Sequence, residues 1–238
     1  MENGDNVKIL ALLPAYNEEA HLEKVLNEVK KQITDILVVD DGSKDRTAQI
    51  ARDAGVNLLS RGYNCGKGQS LKDGYNWALE HGYDAVIMLD SDGQHDPACI
   101  KDFKAKYLET RARLIIGARN YAEIPLVRRI SNNIGKILFS TAVGQSIPDN
   151  QSGYRMLDRV LMERMLHSEE SGYHFEVEMI AICIAEEWKI EWVPIPTIYG
   201  DEVSKQNPFD QIFGFPKVCL KARRIIQDKR KEKCSRQM

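Results

Sequence analysis

Asp90-Ser91-Asp92-Gly93-Gln94 brings two carboxylates and an amide within five residues. The apolar run 85–89 before it reads as a short buried strand, and Gly93 breaks that strand. Past the strand end the chain turns, so both carboxylates can converge on one point. Carboxylate and amide oxygens gathered in this way suit a hard cation, Mg²⁺ or Mn²⁺. The same residues also suit an ordinary polar turn, with aspartate as turn former and helix N-cap before Pro97. Both readings stand on this stretch alone.

The elements that must position it repeat along the first half. Strands are expected at 7–13, 33–39, 56–59, 85–89 and 114–116. Helices follow them, marked by Leu22, Val25, Leu26 and Val29, by Thr47, Ile50 and Ala51, and by Leu71, Tyr75, Ala78 and Leu79. Strand and helix alternating at this pitch imply parallel strands with crossover helices, hence an open α/β sheet. Ligands of such sheets bind outside the carboxyl ends of the strands. Four strands here end in polar, turn-rich clusters, at 14–19, 40–45, 90–94 and 117–119, which would line one crevice.

The totals bound the function. With 43% hydrophobic residues, 29% charged residues and a net charge of −2, the chain has the balance of a soluble globular enzyme and offers no basic surface to nucleic acid. Its five cysteines are odd in number and form no Cys-x-x-Cys pair, which argues for a reducing compartment and against zinc or a disulfide framework. The polar N-terminus does not read as a signal peptide, and the longest apolar stretch, 179–185, is too short to span a bilayer.

Pro14-Ala15-Tyr16-Asn17-Glu18, Val38-Val39-Asp40-Asp41-Gly42-Ser43, Asn64-x-Gly66-Lys67-Gly68 and Asp90-Ser91-Asp92-Gly93-Gln94 together resemble the family 2 inverting glycosyltransferases. Asp149-x-x-Ser152-Gly153-Tyr154-Arg155 narrows the resemblance to the polyprenyl-phosphate (dolichyl-phosphate) sugar synthases, over about residues 7–213. Each motif is weak alone; five in the same order are specific. The resemblance implies a GT-A fold, a mostly parallel central sheet flanked by helices. It would comprise one domain over 1–216, with a nucleotide-binding half at about 7–118 and an acceptor half at about 119–216.

The resemblance also implies roles. Pro14, Tyr16, Glu18 and Asp41 would hold the base and ribose, and Lys67 would sit by the diphosphate. Asp90, Asp92 and Gln94 would bind Mg²⁺ or Mn²⁺, and Arg119 would fork onto the acceptor phosphate. His95 could be a further ligand, but reads better as a solvent-facing or capping residue. Asp149 would be either a catalytic carboxylate or the residue that orients Arg119 or Arg155. A phosphate acceptor is already largely anionic at neutral pH, which favours orientation. An acidic pair, Glu176 and Glu178, opens a helix near the acceptor, although carboxylates also suit any first helical turn.

One departure concerns the donor. Many dolichyl-phosphate mannose synthases carry an arginine shortly before a Gly-x-Ser-Lys element; residues 197–205 keep Ser204-Lys205 without that arginine. Mannose is therefore not assigned, and GDP-mannose or a UDP-hexose both suit. Residues 217–238 form a basic amphipathic helix and tail, suited either to an anionic membrane surface or to packing on the domain. The expected protein is a cytoplasmic, metal-dependent glycosyltransferase, peripheral to a membrane with or without an anchoring subunit. It would move a sugar from a nucleotide diphosphate sugar to a polyprenyl phosphate. Rival readings are transfer to a saccharide hydroxyl in cell-surface polysaccharide synthesis, and a non-catalytic nucleotide-sugar-binding adaptor.

Overall fold

The structure, a computed structural model, describes residues 7–119, 126–170, 174–198 and 208–236. A seven-stranded sheet runs through it in the order β3-β2-β1-β4-β6-β5-β7. The strands are β1 (Ile9–Ala15), β2 (Ile36–Asp40), β3 (Asn57–Ser60), β4 (Ala85–Met88), β5 (Leu114–Arg119), β6 (Arg155–Asp158) and β7 (Ile190–Ile195). The five strands expected from the first half all form. β7 occupies the edge, which tolerates Pro194 because an edge strand need not donate from every residue.

β6 has no counterpart among the expected strands. It lies antiparallel between β4 and β5, so the sheet is mostly and not wholly parallel. Four residues, Arg155-Met156-Leu157-Asp158, are too few to show a period, and a charged residue at each end hides them. Tertiary pairing on both sides makes the strand. It also delivers the loop before Arg155 to the crevice.

The alternation of the strands builds two cores. Leu10 and Leu12 of β1, Leu37 and Val39 of β2, and Val86 and Met88 of β4 face helices α3 (Lys67–Glu80), α6 (Arg159–Leu166) and α7 (His174–Ala185). Ile9, Ala11 and Leu13, with Ile36, Val38, Ala85 and Ile87, face the opposite way, against α1 (Leu22–Val29) and α4 (Ile100–Thr110). With both faces covered, the sheet exposes functional groups at its strand ends, where the polar clusters lie.

The C-terminal helix α8 (Pro208–Arg236) is longer than the expected basic segment and contains Pro216. It packs on α7 and on α5 (Leu126–Val143). Val218, Ala222 and Ile226 are buried in that contact. Lys221 pairs with Glu170 and Glu178, Lys229 with Glu186, and Lys233 with Glu187. The apolar stripe that a membrane-surface helix would insert is therefore part of the core. No helix among the described residues is long and apolar enough to cross a membrane.

Two turns at the strand ends depend on special backbone. Asn17 (φ 54°) accepts from the Lys44 N–H through Oδ1 at 2.8 Å and donates its own N–H to Ser43 Oγ at 2.9 Å, locking the 14–19 turn to the 40–45 turn. Gly42 (φ +75°) carries the chain against the backbone of Tyr63, and a Cβ there would lie 2.5 Å from the Tyr63 carbonyl carbon. Gly42→Ala is expected to cost about 3 kcal/mol, from the left-handed backbone and the clash together. Urea denaturation would measure it; a loss below 1 kcal/mol would show that the 61–66 loop yields freely.

Candidate active site

The ends of β1, β2, β4 and β5 meet as the sequence expects. Ser91 Oγ donates to the Pro14 carbonyl at 2.6 Å, tying the turn after β4 to the end of β1. Tyr16, 39% exposed, presents its ring at this edge, while Glu18 is buried and its N–H donates to Thr47 Oγ1. These contacts position the turn at 14–19 that the resemblance assigns to the base and ribose.

Asp41 is more heavily engaged than its sequence context suggests. It is buried; Oδ1 accepts from Arg61 Nη1 at 2.7 Å and from the Cys65 N–H at 2.8 Å, and Oδ2 accepts from the Gly66 N–H at 2.7 Å. Its carboxylate thus fastens the glycine loop to β2 and brings Lys67 into the crevice. Arg61 bridges Asp41 to Asp73 on α3, 2.6 Å from Nη2. Neither Arg61 nor Asp73 is suggested by the sequence, because their partners lie twelve and twenty residues away and no local pattern links them.

At the end of β4, Lys67 Nζ stands 2.5 Å from Asp90 Oδ1 and 2.9 Å from Glu176 Oε1. Burial works against the ammonium, yet Asp90 and Glu176 outweigh it and hold the lysine pKa well above its usual value. Burial would likewise raise the Asp90 pKa, but the Lys67 charge and hydrogen bond outweigh it and bring the pKa down to about 2. Gly153 closes the cluster, since a Cβ there would sit 2.6 Å from Asp90 Oδ2.

His95 is not solvent-facing. Its side chain is only 9% exposed and stacks on Tyr154, 5.0 Å between ring centres, and Nδ1 accepts the Asp90 N–H at 3.0 Å. It caps the strand end, one of the two readings its sequence position allowed. Burial is the main influence on the ring and lowers its pKa despite Asp90 and Asp92. The neutral ring then carries its proton on Nε2, 3.8 Å from Asp90 Oδ2, and offers no lone pair there to a metal. The helix N-cap expected before Pro97 is Asp96, whose side chain accepts from the Ala98 N–H.

Asp92 and Gln94 share the turn after β4. Asp92 Oδ1 accepts the Gln94 N–H at 2.9 Å, and Gln94 is exposed. Among the described residues no three His, Cys, Asp or Glu side chains form a closed metal cage. Mg²⁺ and Mn²⁺ sites that share substrate phosphates need only one or two carboxylates, so a turn presenting Asp92 beside Asp90 fits such a cation. A structural metal that the protein alone would hold does not fit.

At the end of β5, Arg119 grips Asp149 with two bonds, Nε to Oδ2 at 2.7 Å and Nη2 to Oδ1 at 3.0 Å. The N–H groups of Gln151 and Ser152 add bonds to Oδ1 at 2.9 and 3.1 Å. Asp149 is fully buried, which favours the protonated form, but the Arg119 bond and charge and the backbone bonds outweigh burial and lower its pKa. Arg155 is fully buried and spends its guanidinium on main-chain carbonyls, those of Ser152 at 2.7 Å, Asn150 at 3.2 Å and Glu176. Asp149 thus holds the Arg119 guanidinium in place, whereas Arg155 ties the Asp149 loop to α7.

The acidic pair on α7 divides. Glu176 turns to Lys67, while Glu178 turns to Lys221 and Ser168. Residues two apart on a helix cannot share a face, so only Glu176 belongs to the site. The 199–205 stretch, where the arginine expected of many mannose synthases is missing, lies outside the described residues.

Residues 11–166 match the family described as glycosyl transferase family 2. The chain belongs to that family. It is 30% identical over 189 residues to an undecaprenyl-phosphate mannosyltransferase of Micrococcus luteus, covering 73% of this chain and 76% of the relative. It is 27% identical to a UDP-N-acetylglucosamine–dolichyl-phosphate N-acetylglucosaminyltransferase of Methanococcus voltae, over 87% of this chain and 92% of that one. An uncharacterised protein of Methanocaldococcus jannaschii is 35% identical over 90% of this chain and 98% of its own length. In fold, the glycosyltransferase resembles the crystal structure of glucosyl-3-phosphoglycerate synthase from Mycobacterium tuberculosis with Mn²⁺ and UDP. The TM-score is 0.71 at 18% identity, covering 91% of this chain and 80% of that one. The GT-A architecture expected from the motifs is thus the architecture of the chain.

Proposed function

We propose that this glycosyltransferase moves one sugar from a nucleotide diphosphate sugar to a polyprenyl phosphate, with inversion and with a divalent cation. The observation that carries the choice of acceptor is Asp149: a fully buried carboxylate, gripped by Arg119 and held ionised, is a poor proton acceptor. A sugar hydroxyl needs a base, whereas a phosphate monoester, with its second pKa near 6, does not. The relatives named for undecaprenyl- and dolichyl-phosphate support the same acceptor class.

In this reading Arg119, a quarter exposed, orients the acceptor phosphate at the end of β5. An acceptor oxygen attacks the anomeric carbon in line as the bond from that carbon to the diphosphate oxygen breaks. Asp92, with Asp90 and Gln94 on the same turn, would hold the cation, which when bound neutralises charge on the leaving diphosphate. Tyr16, Glu18 and Pro14 border the nucleoside, and Asp41 acts through the glycine loop it fastens. Ile134, Ile137 and Leu138, exposed on α5, supply an apolar edge for a lipid acceptor and for peripheral docking at a membrane, directly or through a partner subunit.

Radiolabelled transfer from GDP-mannose, UDP-glucose and UDP-N-acetylglucosamine to polyprenyl phosphate, with Mn²⁺ or EDTA, tests the reading. Metal-dependent label in the lipid phase supports it; transfer to a soluble sugar instead would overturn the acceptor. Asp149→Asn discriminates further. It is expected to raise the acceptor KM and lower kcat/KM about tenfold, by loosening Arg119, without moving the pH profile between 6 and 8. A loss beyond a thousandfold together with a lost acidic limb would make Asp149 the base. The sign of its linkage is fixed: a lowered folded pKa stabilises the fold fully above the unfolded value. That stability is lost only as pH falls below about 4 and through the folded value.

A further inference from the structure

Each oxygen of Asp90 already faces a positive or N–H group. Lys67 Nζ is 2.5 Å from Oδ1, and the proton-bearing His95 Nε2 is 3.8 Å from Oδ2. Gly153 closes the remaining side, where a Cβ would lie 2.6 Å from Asp90 Oδ2 and 3.1 Å from Lys67 Nζ. The second anchor of the ammonium, Glu176, is 4% exposed and cannot follow the lysine outward. Lys67 itself is 35% exposed on a flexible four-carbon stem, so the ammonium is the one member of the cluster able to swing toward the crevice.

We propose that Lys67 is an internal counter-cation that keeps a divalent cation off Asp90 until a nucleotide diphosphate draws the ammonium away, making metal binding dependent on the nucleotide. The inference rests on the metal-dependent reading above and deepens it. An ammonium and a divalent cation compete for the same carboxylate oxygens, and two cations on one carboxylate repel. With Lys67 seated, an entering metal meets Asp92 on an already neutralised turn. A diphosphate changes the balance twice, offering Lys67 anionic oxygens of its own and supplying the metal with the phosphate ligands that its sparse protein set lacks. Glu176 is then a positioning residue, which holds the lysine when no nucleotide is bound.

The test is Mn²⁺ binding, followed by electron paramagnetic resonance of free Mn²⁺ on the full chain, with and without GDP or UDP. The wild type is expected to bind Mn²⁺ at least about tenfold more tightly with the nucleotide, a modest figure for an adjacent unit charge because the lysine is partly solvated. Lys67→Met is expected to gain about tenfold or more for Mn²⁺ in the absence of nucleotide, and Lys67→Arg, which keeps the charge, to behave as the wild type does. Equal Mn²⁺ affinity of the wild type with and without nucleotide overturns the inference, a result that needs no variant. So does a Lys67→Met chain that gains nothing, or a Lys67→Arg chain that gains as much as the methionine variant. If the wild type binds no Mn²⁺ even with GDP and UDP present, the metal-dependent reading itself fails, and the inference with it.

Discussion

Replacing Arg119 with alanine is expected to remove most transfer activity and destabilise the fold in the same change. The guanidinium is the bidentate partner of a fully buried carboxylate. Without it, Asp149 keeps only backbone N–H bonds and is left as an uncompensated charge in the interior. Breaking one side of a buried pair costs about 3 kcal/mol, which a urea midpoint would detect. In the proposed mechanism the acceptor phosphate loses its fork too, and kcat/KM is expected to fall by about 10²- to 10³-fold, chiefly through the acceptor. Arg119→Lys keeps the charge but not the fork, and should recover much of the stability and little of the activity. Full activity in the lysine variant would show that geometry at this position is unimportant and would remove Arg119 from the acceptor site.

Asp92→Ala is expected to do the opposite, abolishing transfer with little effect on the fold. Asp92 lies at a turn, partly exposed, and accepts the local Gln94 N–H. Loss of that bond costs about 1 kcal/mol. If Asp92 is the main protein ligand, loss of the cation should lower kcat on the order of 10³-fold. Nucleotide-dependent Mn²⁺ binding should disappear with it, while the urea midpoint stays near the wild type. An Asp92→Ala chain that still transfers sugar in the presence of EDTA would refute metal dependence at this turn. The contrast between the two variants separates residues that build the crevice from residues that only act in it.

That division follows how each part is encoded. The strands and helices of the first half are legible because each carries its own period: apolar runs for strands covered on both faces, and i, i+3, i+4 spacing for helices. The polar clusters at 14–19, 40–45, 90–94 and 117–119 are legible because a parallel sheet must put them at one edge. Their residue types narrow the chemistry, and the ordered motifs name the family. All of this is local information, carried by residues near one another along the chain.

Which partner each charged group takes depends instead on long-range packing. Asp41 could as well have faced a ribose as the loop N–H groups of Cys65 and Gly66 that it in fact binds. Glu176 and Glu178 look alike in sequence, and only the packing of α7 between the site and α8 sends one to Lys67 and the other to Lys221. β6 exists because β4 and β5 leave a gap that four residues fill. The basic C-terminal helix could have lain on a membrane, but Val218, Ala222 and Ile226 are buried in the domain instead. The physical reason is common to all four. Hydrogen bonds, ion pairs and apolar burial are satisfied by whatever lies within a few ångströms, and no period in the chain records which distant residue that will be.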